Sequence, residues 1–240
     1  MTSESDTQDR LPPRMAAVGR ADAVLRRLFD IVVALAGILC FLPILIPVVL
    51  AIRLDSPGPI FYSQNRLGQR GRIFRLYKFR KFRDGATGRA VTLRNDDRMT
   101  RVGHFLERTK IDEVPQLWNV LKADMSVVGP RPETLDFADC FEGVYRGVLD
   151  HRPGIFGPNQ VYFRNEGALF PEKVDPHEFY RAVLFPAKAR IDLAYFPRRS
   201  LRQDVVWLFR GVLAVFGLGL PTEETLQRFR NLENCASIPD

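Results

Sequence analysis

One long apolar segment near the N-terminus dominates the pattern of hydrophobic and polar positions. Residues 29–52, FDIVVALAGILCFLPILIPVVLAI, contain a single charged side chain, that of Asp30. A straight helix of this length would reach about 36 Å, more than the roughly 30 Å of a hydrocarbon core. The run is too long for a signal peptide, and no small-residue cleavage site follows it. The pattern therefore predicts a membrane helix, which we place at residues 21–54.

Two features bear on whether this helix spans the membrane or enters and leaves it by one face. Basic residues flank the apolar segment on both sides, and cytoplasmic flanks carry the excess of Lys and Arg in membrane proteins. Pro43 lies in mid-segment, where it removes a backbone donor, and predicts a break in the helix. Together they favour a re-entrant helix. A kinked spanning helix stays open as the alternative, because membrane helices tolerate proline.

Shorter elements follow the apolar segment. The alternation in IFYSQNRLGQRGRIFRLYKF predicts a β-hairpin that turns between Gly68 and Gly71. Helical spacing predicts helices over about 100–108, from Asp112 onward, over 177–195 and over 200–216, the last in the core or at the membrane interface. Residues 1–20 are polar and predict a disordered lead-in, and residues 219–240 form a C-terminal tail.

The predicted fold class is therefore α+β and helix-dominated. A single cytoplasmic domain with a small β-hairpin, residues 55–218, would follow an N-terminal re-entrant (monotopic) membrane helix. With 240 residues, of which 46% are hydrophobic, the chain is long and apolar enough to form such a core.

Charge narrows the choice of partners. The formal net charge is +7, which favours phosphates or an anionic membrane. Eight basic residues lie between Arg66 and Arg83, and Lys78 and Arg80 alternate there with aromatic residues, so that both could face an anion. A solvated basic face is the alternative. The three cysteines and three histidines are scattered, which argues against a disulfide framework or a metal knuckle.

The stretch KIDEVPQLWNVLKADMSVVGPRPE, residues 110–133, places two carboxylates at the start of a helical pattern. Asp112 is in the position of an N-cap, and Glu113 would suit the helix dipole. The same environment would keep Asp112 ionised, as a nucleophile or a magnesium ligand requires. Arg131 and Arg152 lie in stiff Gly- and Pro-containing segments, and their guanidinium groups fit phosphate oxygens. A cap with structural turns and a catalytic site both remain open on these residues alone.

Several segments in order resemble the small monotopic phosphoglycosyl transferases, the bacterial sugar transferase family. The segments are PGPIFYSQNRLG (57–68), RLYKFRKF (75–82), residues 110–133, RPGI (152–155) and LAYFPRRSLRQDV (193–205). The resemblance covers roughly residues 25–216. It implies transfer of a sugar-1-phosphate from a nucleoside diphosphate sugar, commonly UDP-linked, to polyprenyl phosphate at the cytoplasmic face of the bacterial inner membrane. Such a reaction begins exopolysaccharide, capsule or O-antigen synthesis.

The resemblance also implies roles for individual residues. Asp112 would form a covalent phosphosugar intermediate and hold Mg²⁺, and Glu113 would activate the polyprenyl phosphate. The substrate phosphates would be bound by Lys78, Arg80, Arg108, Lys110, Arg131 and Arg152, and the nucleotide or sugar by Gln160 and Arg164. Nucleic acid is not an expected partner, and the resemblance leaves a homodimer open.

The chain departs from the family pattern at three places. Glu107 stands where an arginine usually precedes the nucleophile, so that Arg108 or Lys110 would supply the cation or activity would be reduced. The helix break is Leu42-Pro43 rather than Ser-Pro. Residues 157–161, GPNQV, replace a Gly-Trp-Ala-Gln-Val segment and leave the sugar and nucleotide unassigned. The alternatives are therefore a membrane-anchored basic adaptor and a catalytically weakened homologue that scaffolds a glycan assembly complex.

Overall fold

The computed structural model describes residues 13–86, 96–171 and 174–218, with backbone only for residues 13–20 and Ala168. Within these ranges the helices and strands, in chain order, are α1 (Pro13–Asp55), β1 (Phe61–Leu67), β2 (Ile73–Phe79), α2 (Arg101–Thr109), α3 (Gln116–Leu121), β3 (Ser126–Val128), β4 (Gly154–Phe156), α4 (Pro158–Tyr162), α5 (Pro176–Phe179), α6 (Phe185–Tyr195) and α7 (Leu201–Val215). A π-helical turn, Tyr180–Leu184, joins α5 to α6, and short 3₁₀ turns fill several connections. The predicted tail, 219–240, lies outside the described residues.

Helix α1 is continuous over 43 residues. It begins at Pro13, within the predicted lead-in of residues 1–20, whose first 12 residues lie outside the described ranges. Its helical backbone also continues through Pro43 and Pro47. The bend expected at Pro43 stays a prediction. Each proline removes only one backbone donor, and packing of α1 against the rest of the protein holds the helix on both sides of the two positions.

The N-terminal half of α1 is fixed to the domain by polar contacts. Asp30, the single charge of the apolar run, is 3% exposed. Its carboxylate accepts hydrogen bonds from the Ser126 hydroxyl at 2.8 and 2.9 Å and from the Val127 amide at 2.8 Å. One turn earlier, Arg27 donates to the carbonyl oxygens of Val120 and Leu121 at 2.6 and 2.7 Å. The charges at this end of the segment therefore bind the protein itself.

The C-terminal half of α1 packs on the same domain. Val48 and Ile52 are buried in a cluster with Phe79 and Leu106. Residues 27 and 52 would be roughly 37 Å apart along a straight helix at about 1.5 Å per residue. The domain therefore accompanies the helix over most of its apolar length.

The opposite face of α1 is apolar and exposed. Its outward side chains are each more than half exposed and recur every three or four residues: Val24, Leu28, Val32, Leu35, Leu39, Leu42, Ile46, Leu50 and Leu54. This spacing places them on one side of a helix. Among the residues that the structure describes, one helix, Ala21–Asp55, is long and apolar enough to cross a membrane by length and composition.

Two small sheets orient the polar residues. Strands β1 and β2 form the predicted antiparallel hairpin, with Phe61 opposite Phe79 and Leu67 opposite Ile73. A second sheet, of parallel strands β3 and β4, was not predicted. Gly129 and Gly154 lie side by side at its end, and a Cβ on Gly154 would come within 2.0 Å of the Gly129 nitrogen. Only glycine permits this approach of two backbones, which fixes the direction of the Gly-Pro-Arg segment that follows β3.

The predicted C-terminal helices are present, and both contribute side chains to the core. Residues 176–195 form one helical stretch, and α7 begins with a capping box in which Ser200 and Gln203 bond reciprocally. The helix-dominated prediction is confirmed for the described residues.

Candidate active site

A sharp turn between two helices carries the two carboxylates. Helix α2 ends at Thr109, and Lys110 takes a left-handed conformation with φ 58°. A 3₁₀ turn of Ile111–Glu113 follows, and Pro115, rather than Asp112, is the N-cap of α3. Of the two readings left open for Asp112, the helix cap is therefore excluded, because Asp112 lies in the 3₁₀ turn three residues before the N-cap.

Asp112 is instead buried and incompletely bonded. The residue is 2% exposed, and its Oδ1 atom has no hydrogen-bond partner among the described residues. Burial raises the pKa of Asp112, Lys78 opposes this rise, and the neighbouring Glu113 charge adds to it. Buried polar atoms are nearly always paired in folded proteins, so an orphaned carboxylate oxygen indicates a place for a ligand.

Glu113 faces a strand residue across the site. Its Oε1 atom lies 2.8 Å from Nζ of Lys78, and the two side chains are only 13% and 16% exposed. Burial opposes ionisation of Glu113, but Lys78, Lys110 and Arg131 outweigh it and hold the pKa well below its usual value. Burial lowers the pKa of Lys78 to about 8 despite its partner. The pair is thus an ionised contact in a poorly solvated place.

Further cations surround the pair. Burial lowers the pKa of Lys110, and the charges of Glu113 and Asp112 oppose that change. Burial also acts to lower the pKa of Arg131, but Glu113, followed by two other glutamates, raises it above its ordinary value. The guanidinium of Arg164 donates to the Arg108 carbonyl at 3.1 Å and lies within the field of both carboxylates. Four of the predicted binding residues, Lys78, Lys110, Arg131 and Arg164, therefore surround Asp112 and Glu113.

A small cleft opens beside these groups. Its lining combines charged side chains with one face of the second sheet: Arg66, Leu76, Lys78, Glu113, Gln116, Arg131, Pro132, Gly154 and Ile155. One carboxylate, three cations and strand backbone meet there. Such an arrangement can bind a phosphate group beside the buried Asp112 carboxylate.

Two predicted phosphate ligands lie elsewhere. Arg80 is buried, and its guanidinium donates to the carbonyl oxygens of Ser56, at 2.7 Å, and Pro57. It therefore satisfies the carbonyl groups at the end of α1 rather than the site. Arg152 precedes β4 on the side facing α1. Burial raises the pKa of Asp30, and Arg152 is one of the cations that oppose this.

Two more predicted ligands have mainly structural contacts. Arg108 is exposed, and its recorded contact to the site is the backbone carbonyl that Arg164 binds. Gln160 donates through Nε2 to the carbonyl oxygens of Gly129, at 2.9 Å, and Gly154, at 3.3 Å. It thereby links the ends of the two parallel strands. Because α4 begins directly after β4, the Gln160 side chain lies close to the strand backbone and bonds to it instead of to the cleft.

Comparison with known protein families identifies the family to which the protein with this site belongs. The family model described as bacterial sugar transferase matches residues 21–217, which include α1 and every element of the site. The chain belongs to the bacterial sugar transferase family. The family membership predicted from the motifs is thereby confirmed.

This bacterial sugar transferase is similar to several curated proteins. It is 42% identical over 206 residues, 81% of the chain, to a UDP-N-acetylgalactosamine-undecaprenyl-phosphate N-acetylgalactosaminephosphotransferase of Aeromonas hydrophila. It is 43% identical over 125 residues, 51% of the chain, to a putative undecaprenyl-phosphate N-acetylgalactosaminyl 1-phosphate transferase of Bacillus subtilis. It is 40% identical over 143 residues, 58% of the chain, to a UDP-glucose:undecaprenyl-phosphate glucose-1-phosphate transferase of Escherichia coli. The matches span 45%, 70% and 31% of those proteins.

The sequence motifs of the bacterial sugar transferase did not identify a buried polar cluster behind Arg131. The Tyr180 hydroxyl donates to Glu133 at 2.5 Å, and Lys188 lies 2.7 Å from that hydroxyl and 3.0 Å from Glu166. Glu133 is the last residue of the GPRPE motif, so the motif could have identified it as a candidate. Tyr180 and Lys188 lie in the C-terminal helical stretch outside the quoted motifs, and no signal in the sequence pointed to them.

Two residues close to the carboxylates, Gln116 and Lys81, were also missed. Gln116 is buried in the first turn of α3 and lines the cleft. Lys81 and Glu107 form an ion pair beside Asp112, with Nζ and Oε1 2.9 Å apart. Lys81 lies in the basic RLYKFRKF segment, but eight basic residues there gave no reason to choose it.

The magnesium ion predicted for a bacterial sugar transferase could be held at Asp112, although not by a cluster of protein ligands among the described residues. No cluster of three His, Cys, Asp or Glu that could hold a metal occurs within the described ranges. Asp112 offers a buried carboxylate oxygen that has no hydrogen-bond partner in the part of the chain that the structure describes. Mg²⁺ in phosphoryl-transfer sites is usually bound by one or two carboxylates together with substrate phosphates and water. Asp112 therefore fits Mg²⁺ as a shared ligand with a diphosphate.

Proposed function

We propose that this protein is a phosphoglycosyl transferase that moves a sugar-1-phosphate from a UDP-sugar to polyprenyl phosphate. The reaction would begin the synthesis of an exopolysaccharide, capsule or O-antigen. Substrates named for the curated relatives support this class, since each combines an undecaprenyl phosphate with a sugar phosphate. The observation that carries the proposal is the buried, unpartnered oxygen of Asp112 beside the Lys78–Glu113 pair.

In the first step, a carboxylate oxygen of Asp112 attacks the sugar-linked phosphorus of the donor. A bond forms between that oxygen and phosphorus, the bond to the bridging diphosphate oxygen breaks, and UMP leaves with the electron pair. A sugar phosphate is then esterified to Asp112. Lys78, Lys110 and Arg131 are placed to neutralise the charge that collects on the phosphoryl oxygens, which would otherwise repel the carboxylate. When bound, Mg²⁺ would add Lewis-acid neutralisation of the diphosphate.

In the second step, a phosphate oxygen of the polyprenyl carrier attacks the same phosphorus and releases the Asp112 carboxylate. Glu113 accepts the proton when the carrier phosphate arrives protonated. Its low pKa makes it a weak base while Lys78 remains its partner. A substrate phosphate that draws Lys78 away would leave Glu113 in a poorly solvated place without its main counter-charge, and so raise its proton affinity.

A monotopic position at the cytoplasmic face of the inner membrane suits this chemistry. Both halves of α1 pack on the domain that holds the site, while its other face presents an unbroken apolar stripe. A spanning helix would carry one of those halves away from the domain. The exposed apolar residues of α7 extend the apolar surface: Val206, Phe209, Val212, Leu213 and Phe216. A lipid phosphate could then reach Asp112 from the headgroup layer.

The first experiment tests covalent chemistry. The purified protein is incubated with Mg²⁺ and a panel of UDP-sugars without the lipid, and intact mass is measured. The expected result is an adduct of one sugar phosphate that maps to Asp112 and disappears on addition of polyprenyl phosphate. Asp112→Asn should form no adduct, because an amide is a poor nucleophile. Asp124→Asn, a carboxylate paired with Lys122 on the surface, serves as the matched control. Turnover by Asp112→Asn would refute the assignment.

A further inference from the structure

The ion pair between Lys81 and Glu107 joins the strand side of the site to the helix side. Lys81 lies two residues after β2, and Glu107 lies in the last turn of α2, five residues before Asp112. Their charged atoms are 2.9 Å apart, and the two side chains are 16% and 29% exposed. The pair is therefore partly shielded from water and belongs to the edge of the site.

Backbone contacts fix the pair in place. The Lys81 carbonyl accepts a hydrogen bond from the Thr100 amide at 3.0 Å. A Cβ on Gly103 would come within 2.0 Å of that same carbonyl oxygen, so α2 lies directly on the backbone at position 81. At the other end of α2, the Glu107 carbonyl accepts from the Lys110 amide at 3.3 Å and begins the turn that holds Asp112. The distance from Lys81 to the carboxylate turn is thus set by one rigid helix.

The charge of Lys81 acts on both partners of the proposed reaction centre. Like Lys78, it opposes the rise in the pKa of Asp112 that burial causes. It also repels Lys78, whose pKa it helps to lower. Three lysines close together would separate without an anion to hold them, and Glu107 supplies that anion to Lys81. The ammonium group of a lysine sits on a flexible four-carbon stem, which such a partner orders.

We propose that Lys81 is a further phosphate-binding cation of this site and that Glu107 is the positioning residue that keeps it there. The Lys81 ammonium would bind a phosphoryl oxygen of the donor diphosphate next to Asp112. This inference rests on the proposed function. It also explains why the chain can depart from the family pattern at Glu107. The acid holds a neighbouring cation in the site, so its presence does not imply lost activity.

Exchanging the two charges separates this role from simple stabilisation. The double variant Lys81→Glu, Glu107→Lys keeps an ion pair between the same positions but places an acid beside Asp112. Thermal unfolding should therefore stay close to that of the unchanged protein. The rate of adduct formation with a UDP-sugar should fall at least as far as in Lys81→Met, for which we expect a loss of about tenfold or more, since a removed oxyanion donor costs about 10²–10³. Near-normal rates in the exchanged variant would reduce the pair to a structural contact and overturn the inference.

Binding gives a second readout that does not depend on turnover. The affinity for UDP with Mg²⁺, measured by calorimetry, should fall in Lys81→Met and in Glu107→Gln, and Lys81→Arg should keep most of it because the positive charge remains. Lys122→Met removes a lysine whose partner Asp124 is also 2.9 Å away but which lies outside the site, and it should change nothing. Equal UDP affinity in Lys81→Met and the unchanged protein would count against the inference.

The two proposals fail in different ways. If the unchanged protein forms the Asp112 adduct and Lys81→Met forms it at the same rate, the role of Lys81 is wrong and the transferase remains. If the unchanged protein forms no adduct with any UDP-sugar, or Asp112→Asn forms it equally well, the proposed function is wrong and the role of Lys81 falls with it.

Discussion

Lys78 and Glu113 lie 35 positions apart in the sequence, yet their charged atoms are 2.8 Å apart in the fold. The hairpin supplies the lysine and the turn after α2 supplies the acid. Because Asp112 adjoins Glu113 and has no hydrogen-bond partner of its own on Oδ1, this contact determines which carboxylate is neutralised and which stays available. The ion pair thus distinguishes two neighbouring acids that the sequence presents as equals.

Removal of Lys78 should therefore damage both stability and activity. Lys78→Met leaves the Glu113 charge in a poorly solvated place without its nearest partner, and breaking a buried pair on one side costs about 3–5 kcal/mol. We expect a loss toward the lower end of that range, since Lys110 and Arg131 remain. Urea unfolding of the variant measures it. The double variant Lys78→Met, Glu113→Gln should recover part of the stability but none of the activity, and full recovery of activity would contradict the role of Lys78.

The titration of Lys78 should limit the reaction at alkaline pH. Burial lowers its pKa to about 8, so the ammonium that faces Glu113 and the substrate phosphates loses its proton above that pH. We expect kcat/KM to fall as the pH rises through about 8. Lys78→Arg, which stays charged, should lack this limb even if its rate is lower, and a limb that persists unchanged in that variant would exclude Lys78 as its origin.

The lowered pKa of Lys78 affects stability in the opposite direction from activity. Lysine in the unfolded chain keeps its proton to about pH 10.4, so between pH 8 and that value the unfolded state binds more protons than the native state. The contribution of Lys78 to the free energy of unfolding should therefore increase over this window while activity decreases. Chemical unfolding at pH 8 and pH 10, compared with Lys78→Met, measures the contribution.

Burial should make Asp192 harder to ionise than an ordinary aspartate. Burial raises its pKa well above the usual value, and the hydrogen bond donated by Asn159 and the charge of Lys188 only partly oppose this. A raised pKa means that the native state holds the proton more tightly, so the contribution of Asp192 to stability is complete below about pH 4 and declines as the pH rises toward the native pKa. Asp192→Asn should remove that decline and match or exceed the unchanged protein in stability at pH 7.

Asp192→Ala is the comparison for this substitution. It deletes the acceptor for Asn159 as well as the carboxyl group, and an unsatisfied buried amide costs about 1–3 kcal/mol. Unfolding curves for both variants at pH 5 and pH 8 make the test. An asparagine variant as unstable as the alanine variant would mean that the carboxylate is ionised in the native protein.

The position of α1 can be tested by chemical labelling. After replacement of Cys40, Cys140 and Cys235, a cysteine placed at Ser3 should be protected from an impermeant thiol reagent in intact cells and react once the membrane is opened. The result depends only on the side of the membrane on which position 3 lies. Labelling in intact cells would establish a spanning helix and exclude the monotopic position.

Much of the architecture followed from local sequence. The apolar length of α1, the alternation in the hairpin and the helical spacing over 200–216 each predict an element from neighbouring residues, and those elements are present. Asp112, Glu113, Lys78 and Arg131 were named in advance because contiguous motifs carry them, and the structure brings these four residues together. The parallel sheet was not predicted, since β3 and β4 are only three residues each and pair across a gap in sequence.

The amino-acid sequence by itself determined the family, the apolar helix and the two carboxylates, since these depend on residue type and close spacing. Tertiary structure decided where the polar side chains lie: the Arg80 guanidinium binds carbonyl groups at the end of α1, the Gln160 amide binds the strands, and Lys81 pairs with Glu107. A positive charge binds the acceptors that its backbone position allows it to reach, and that position is fixed by contacts between distant segments. Amino-acid composition and spacing along the sequence do not specify those distances.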